Sequence, residues 1–145
     1  MWKTMSLLLV LLLLGVPALS QPSNIFRVQL RVNADVRLQA QIENSLVQEL
    51  RRLGDIQRAE DAHDWLLHIQ VISLSPDRGY VLSMVILEKT TIALNQQALY
   101  IPDLHAVYVD TDLHALCARA VAAFDSTTLT PARAARRVQS QQDRR

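Results

Sequence analysis

The pattern of apolar and polar positions divides the chain into segments of different period. An unbroken run, Leu7-Leu8-Leu9-Val10-Leu11-Leu12-Leu13-Leu14, dominates the first twenty residues. From Phe26 the period becomes two: Phe26, Val28, Leu30 and Val32 share one face and Arg27, Gln29 and Arg31 the other, which predicts a half-buried strand. The period then lengthens. Leu38, Ile42, Leu46, Leu50 and Leu53, joined by Val47, predict an amphipathic helix with Asn33 or Asp35 as its cap and Gly54 as its left-handed stop. Asp55 to Ala59 is too short for either period and is expected as a brief strand or an extended arm.

Strand character returns at Trp65 to Leu74, where Trp65, Leu67, Ile69 and Val71 share one face and Leu66, His68, Gln70 and Ile72 the other. Ser75-Pro76-Asp77-Arg78-Gly79 carries hairpin chemistry, proline pre-setting φ and glycine accepting a positive one. Tyr80 to Glu88 then returns antiparallel. Its apolar residues populate both faces, which predicts a central strand covered on both sides. Thr90 to Leu94, Ala98 to Ile101 and His105 to Val109 are weaker strand candidates, the first two around the polar Asn95-Gln96-Gln97. A second helix is expected from Asp112 to about Phe124, capped by Asp110 or Thr111, with Leu113, Leu116, Cys117, Ala120, Val121 and Phe124 facing inward. Pro131 is placed to open a short terminal helix through Val138. Because Ala132, Ala135 and Val138 bury little, this tail is expected to be partly helical and loosely held, or disordered. The fold class that follows is an α/β (α+β) sandwich, a mostly antiparallel sheet with a β-α-β start and two main helices.

The opening run has the anatomy of a secretory signal peptide over residues 1–20. Lys3 supplies the positive n-region, Ser6 to Val16 the apolar core, and Ala18 and Ser20 the small residues before a cut between Ser20 and Gln21. A retained membrane anchor needs roughly 17–25 apolar residues, whereas Gly15 and Pro17 interrupt this run early, so cleavage is the expectation. A lipoprotein needs a cysteine at the first mature position; Gln21 stands there, and the only cysteine is Cys117. The expected destination is the periplasm or the extracellular space. What remains has the length of one domain, 21–125, followed by a tail, 126–145.

Composition narrows this further. A single cysteine forms no intramolecular disulfide, so packing alone must hold the fold, and Cys117 reads as a small buried apolar residue. Disulfide-free export favours a bacterial periplasm. From Gln21 to Asp125 nine Lys and Arg face thirteen Asp and Glu, a balance of −4; from Ser126 to Arg145 five Arg face one Asp, a balance of +4. In that basic tail Arg133, Arg136 and Arg137, with Arg144 and Arg145, are candidate contacts with an anionic membrane or an acidic partner, set against the plainer reading of a solvated tail.

Candidate chemistry is sparse. After the proposed cut only Gly54 and Gly79 remain, too few for Rossmann or Walker loops or a Gly-x-Ser-x-Gly elbow, whose backbones need glycine to approach phosphate or adopt strained angles. His63, His68, His105 and His114 lack metal-ligand spacing; His63 with Asp61 and Asp64 is the densest cluster and reads as a polar loop. Glu60-Asp61 and Asp110-Thr111-Asp112 read as loop and helix cap rather than as a catalytic carboxylate pair. No catalytic residue, metal ligand or cofactor is assigned, and too few aromatics accompany the basic residues for nucleic-acid binding. Protein binding asks least of this inventory: a strand at a sheet edge pairs with an extended partner through main-chain groups alone, unless charges such as Arg27, Arg31 and Lys89 only blunt that edge.

The succession of signal peptide, alternating strand, helix ending at Leu53-Gly54, and Glu60-Asp61-Ala62-His63-Asp64-Trp65-Leu66-Leu67 entering a hairpin resembles small bacterial envelope domains. It is similar in pattern to the amino-terminal domain of the Tol-system protein TolB and to the periplasmic domains of penicillin-binding-protein activators and curli-secretion lipoproteins. The resemblance spans roughly Phe26 to Leu87 and implies an α/β sandwich used for protein contact; Gln21 departs from the lipoprotein members, and no functional residue carries over. The resulting expectation is an exported adaptor or accessory protein of the envelope that binds an envelope protein. The alternatives are a small-ligand or metal-binding protein using His63 and Asp64, and a hydrolase with a noncontiguous site.

Overall fold

A computed structural model describes residues 25–75, 78–92 and 97–145. The Ser20/Gln21 junction and the turn residues Pro76, Asp77, Asn95 and Gln96 lie outside the described residues. The elements in chain order are β1 (Phe26–Asn33), α1 (Val36–Arg52), β2 (Ile56–Arg58), β3 (Trp65–Ser75), β4 (Gly79–Ile92), β5 (Gln97–Asp110), α2 (Leu113–Phe124), a π-helical turn (Asp125–Leu129) and α3 (Thr130–Gln142).

Five strands form one sheet in the order β2-β1-β3-β4-β5. β1 runs parallel to both β2 and β3, which requires α1 as the crossover, while β3, β4 and β5 form a longer antiparallel meander. The predicted α+β class, with its β-α-β start, is therefore the architecture observed. Asp35 caps α1, its carboxylate accepting from Arg37 N at 2.9 Å, and Gly54 ends that segment at φ 77°. For α2 the cap falls one position later than the sequence suggests. Asp112 accepts from His114 N at 2.8 Å and Ala115 N at 3.4 Å, while Asp110 accepts from Asp112 N at 3.1 Å and fixes the approach.

Both helices pack on one face of the sheet. Phe26, Val28, Leu30, Leu67, Ile69, Leu82, Met84 and Ile86 meet Ile42, Leu46 and Leu50 of α1 and Leu116, Ala120, Val121 and Phe124 of α2 in one continuous core. Cys117 lies in it, fully buried, and burial pushes its thiol up to about 11, with Glu49 and Asp112 adding to the effect. This one-sided arrangement corrects the expectation that β4 is covered on both sides. With only two core helices, the opposite face keeps Val81, Val85 and Leu87 half-buried and leaves Ile72, Val107 and Val109 exposed.

One further expectation changes. The three weak strand candidates after Thr90 merge into two long strands: β5 runs unbroken from Gln97 to Asp110 against the whole of β4, with one register shift at Ile86/Leu87. Pro102 stands opposite Leu87 and Leu104 opposite Ile86, leaving Asp103 as the extra residue of a bulge on an edge strand that tolerates proline. The tail is helical, the first of the two states expected of it. Ser126 and Thr127 hydroxyls donate to Ala123 O at 3.1 and 2.7 Å, loosening the helical ladder into the π turn, and Thr128 donates to the bulged Asp103. Leu129 is thereby turned into the core, and the chain continues into α3.

Candidate functional site

Chemistry-bearing residues, the free sheet edge and the basic tail occupy different parts of this framework. β5 is the outer strand of the sheet, and among the described residues no backbone group on its far side is bonded to another segment. Its apolar side chains remain open: Leu99 is 45 % exposed, Ile101 46 %, Val107 57 % and Val109 56 %. Across the uncovered sheet face, Val109 continues a row through Val81 to Ile72. In the next rows Ser83 Oγ lies 3.2 Å from His105 Nε2. β3 stops pairing with β4 at Glu88, so β4 beyond Lys89 and β5 before Ile101 pair only with each other and project as a two-stranded ribbon.

The base of that ribbon is held by the 59–64 connection. His63 stacks on Tyr100, with ring centroids 5.9 Å apart and Nε2 3.2 Å from the tyrosine hydroxyl, and Lys89 Nζ donates to Asp61 O at 2.9 Å. Burial lowers the His63 imidazole below its ordinary value, and the Lys89 and Arg31 charges push the same way. The His63, Asp61 and Asp64 cluster does not converge. Asp64 instead accepts from Arg27 N at 2.9 Å and lies 3.6 Å from the Arg136 guanidinium, and among the described residues no three His, Cys, Asp or Glu side chains converge as metal ligands do.

The tail arginines separate into two kinds. Arg133 bonds Asp55 through Nε at 2.6 Å and Nη2 at 2.8 Å, and Asp125 through Nη1 at 2.6 Å. These bonds hold the Asp55 carboxyl below its ordinary value and the guanidinium above its own. Arg136 donates to Ile25 O at 3.1 Å and lies over the Phe26 ring at 3.7 Å, sealing the end of the core where Trp65 meets Phe26 at a tilt and Phe124 edge to face. Arg137 is exposed and, among the described residues, makes no ion pair. With Ser140 it lines an open cleft of about 280 Å³ floored by Phe26 and Asp55.

No family model matches this chain. Nor does any curated protein. Among solved structures it is similar to a dodecamer of a PelC variant from Paraburkholderia phytofirmans, at 10 % identity and a TM-score of 0.39, over 67 % of this chain and 80 % of that one. It is also similar to rare lipoprotein B from Shewanella oneidensis, at 14 % identity and a TM-score of 0.29, over 71 % of this chain and 95 % of that one. At such values neither likeness carries a residue or a role to this chain. Among the described residues no helix is long and apolar enough to cross a membrane.

Of the residues singled out in the sequence, Arg133, Arg136 and Arg137 are thus placed on α3, but only Arg137 is free to meet a surface with its whole charge. His68 and His105 are exposed on the uncovered sheet face; His114 is half-exposed, 3.5 Å from Glu49. The sequence reading missed Asp55 as the partner of Arg133, because 78 positions separate them. It also missed the continuity of β5, although apolar residues on both of its faces, Ala106 and Tyr108 against Val107 and Val109, were a visible signal.

Proposed function

We propose that this is an exported accessory protein of the cell envelope that works by binding another protein along β5. One observation carries the reading: a 14-residue edge strand whose outer main chain is unpaired among the described residues and whose Leu99, Ile101, Val107 and Val109 side chains stand exposed. An edge of this length is a template for strand addition, in which main-chain hydrogen bonds supply affinity and alternate side chains supply selectivity. Natural edges are ordinarily blunted by lysine, by inward-pointing charge or by brevity. β5 carries only the Pro102-Asp103 bulge, and its stretch from Leu104 to Val109 contains neither lysine nor proline. Export itself rests on the apolar segment of residues 1–20.

Capture of envelope proteins by the wild-type chain and by a Val107→Arg/Val109→Arg double variant tests the reading. Both side chains are over half exposed, so the variant keeps the core intact. The expected result is one or more specific partners lost in the variant and retained by Arg51→Gln on α1. Capture of the same proteins by the variant, or of none by the wild type, overturns it.

A further inference from the structure

The basic helix and the point at which the N-terminal segment joins the fold coincide. α3 spans Thr130–Gln142 and buries none of its residues, so apolar packing does not explain why it carries five arginines on itself and its last residues. At 100° per residue, Arg133, Arg136, Arg137 and Ser140 fall within about 100° of one another, on a single stripe. The first turn of that stripe is spent on the body, where Arg133 grips Asp55 and Asp125. One turn on, Arg136 holds the carbonyl of Ile25, the first described residue. Beyond it Arg137, Arg144 and Arg145 are exposed and, among the described residues, unpaired.

We infer that this end of α3 is a docking face for an anionic phospholipid bilayer. Charge selects that occupant, and attachment is compatible with it. Residues 126–145 carry +4 and residues 21–125 carry −4, so the molecule is an electric dipole that an anionic plane turns with α3 toward itself. Nine Cα steps separate Val16, where the apolar core ends, from Ile25, and they reach at most about 32 Å. Before the expected cut, a bilayer that holds the apolar core therefore lies within about 32 Å of the residue that Arg136 touches. The exposed side of α3, Pro131, Ala134, Ala135 and Val138, offers only small apolar groups, so binding is electrostatic and superficial rather than by insertion.

The test is vesicle co-sedimentation of the protein isolated from its own host, with whichever N-terminus it carries there. Mixed phosphatidylglycerol and phosphatidylcholine vesicles are compared with phosphatidylcholine alone, at about 0.05 M and about 0.5 M salt. Partition onto anionic vesicles is expected to exceed that onto neutral ones at low salt and to converge with it at high salt. Arg137→Gln/Arg144→Gln/Arg145→Gln is expected to lower anionic partition about five-fold per arginine, about a hundredfold in all. Arg31→Gln/Arg37→Gln/Arg51→Gln removes as many exposed charges elsewhere and is expected to retain most of the binding. Equal partition onto both vesicle types, or an equal loss in the two triple variants, overturns the assignment. Circular dichroism establishes that both variants are folded. Since β5 is unchanged in either, this result is independent of the protein-binding reading.

Discussion

Arg133 shows how one side chain decides the state of a whole segment. Its guanidinium joins three places remote in sequence: Asp55 before β2, Asp125 in the π turn and α3 itself. All three groups are mostly shielded, so these charge-assisted bonds are screened less than an ordinary surface pair. Arg133→Ala is expected to cost about 1–2 kcal/mol in urea unfolding and to expose the amides of α3 to rapid hydrogen exchange. Arg133→Lys is expected to rescue little, because a point charge does not bridge two carboxylates as the planar fork does. Two other side chains set the acid response. His63 sits below its ordinary 6.5 through burial first, so as pH falls through 6.5 the unfolded chain takes up a proton that the folded chain resists. Asp55 sits below its ordinary 3.8 through its bond to Arg133, so its contribution is complete above 3.8 and lost as pH drops toward the folded value. Urea midpoints are therefore expected to decline in two steps, one below 6.5 and one below 3.8, and His63→Gln is expected to flatten only the first.

At the scale of elements, the two described glycines show why similar backbone angles carry different consequences. Gly54 has φ 77° with open space around it, whereas Gly79 has φ 81° and backs onto the main chain that leaves β5. A Cβ at Gly79 stands 2.8 Å from Thr111 Cα and 2.9 Å from the Asp110 carbonyl carbon, neither of which moves without shifting the start of α2. Gly54→Ala is expected to cost only the left-handed strain, about 1–2 kcal/mol, and Gly79→Ala about 2–4 kcal/mol, measured by thermal unfolding. Strand, helix and cap positions for β1, α1 and β3 were legible because each has an apolar stripe of a single period, ending in Asp35, Gly54 or Gly79. The terminal helix was legible only through Pro131 at its start, and the π turn was not legible, since Ser126 and Thr127 act through hydroxyl bonds. Periodicity is silent about elements held by polar contacts.

For the molecule as a whole, the sequence by itself determined the fold class, the one-sided amphipathicity of β1 and α1, the scarcity of glycine and the opposed charges of body and tail. These are properties of local order and of inventory. They follow from which residues recur at which spacing, and no long-range contact alters them. Only the tertiary structure decided that both core helices lie on one face, that β5 is the long edge strand, that Asp103 bulges toward Thr128, and that Arg133 is spent on Asp55 while Arg137 makes no ion pair among the described residues. Each of those depends on the order in which strands assemble and on contacts closed across tens of residues. A strand's own residues do not reveal which of its neighbours is missing, so the surfaces proposed to bind, the β5 edge and the end of α3, became visible only once the sheet order and the helix docking were set.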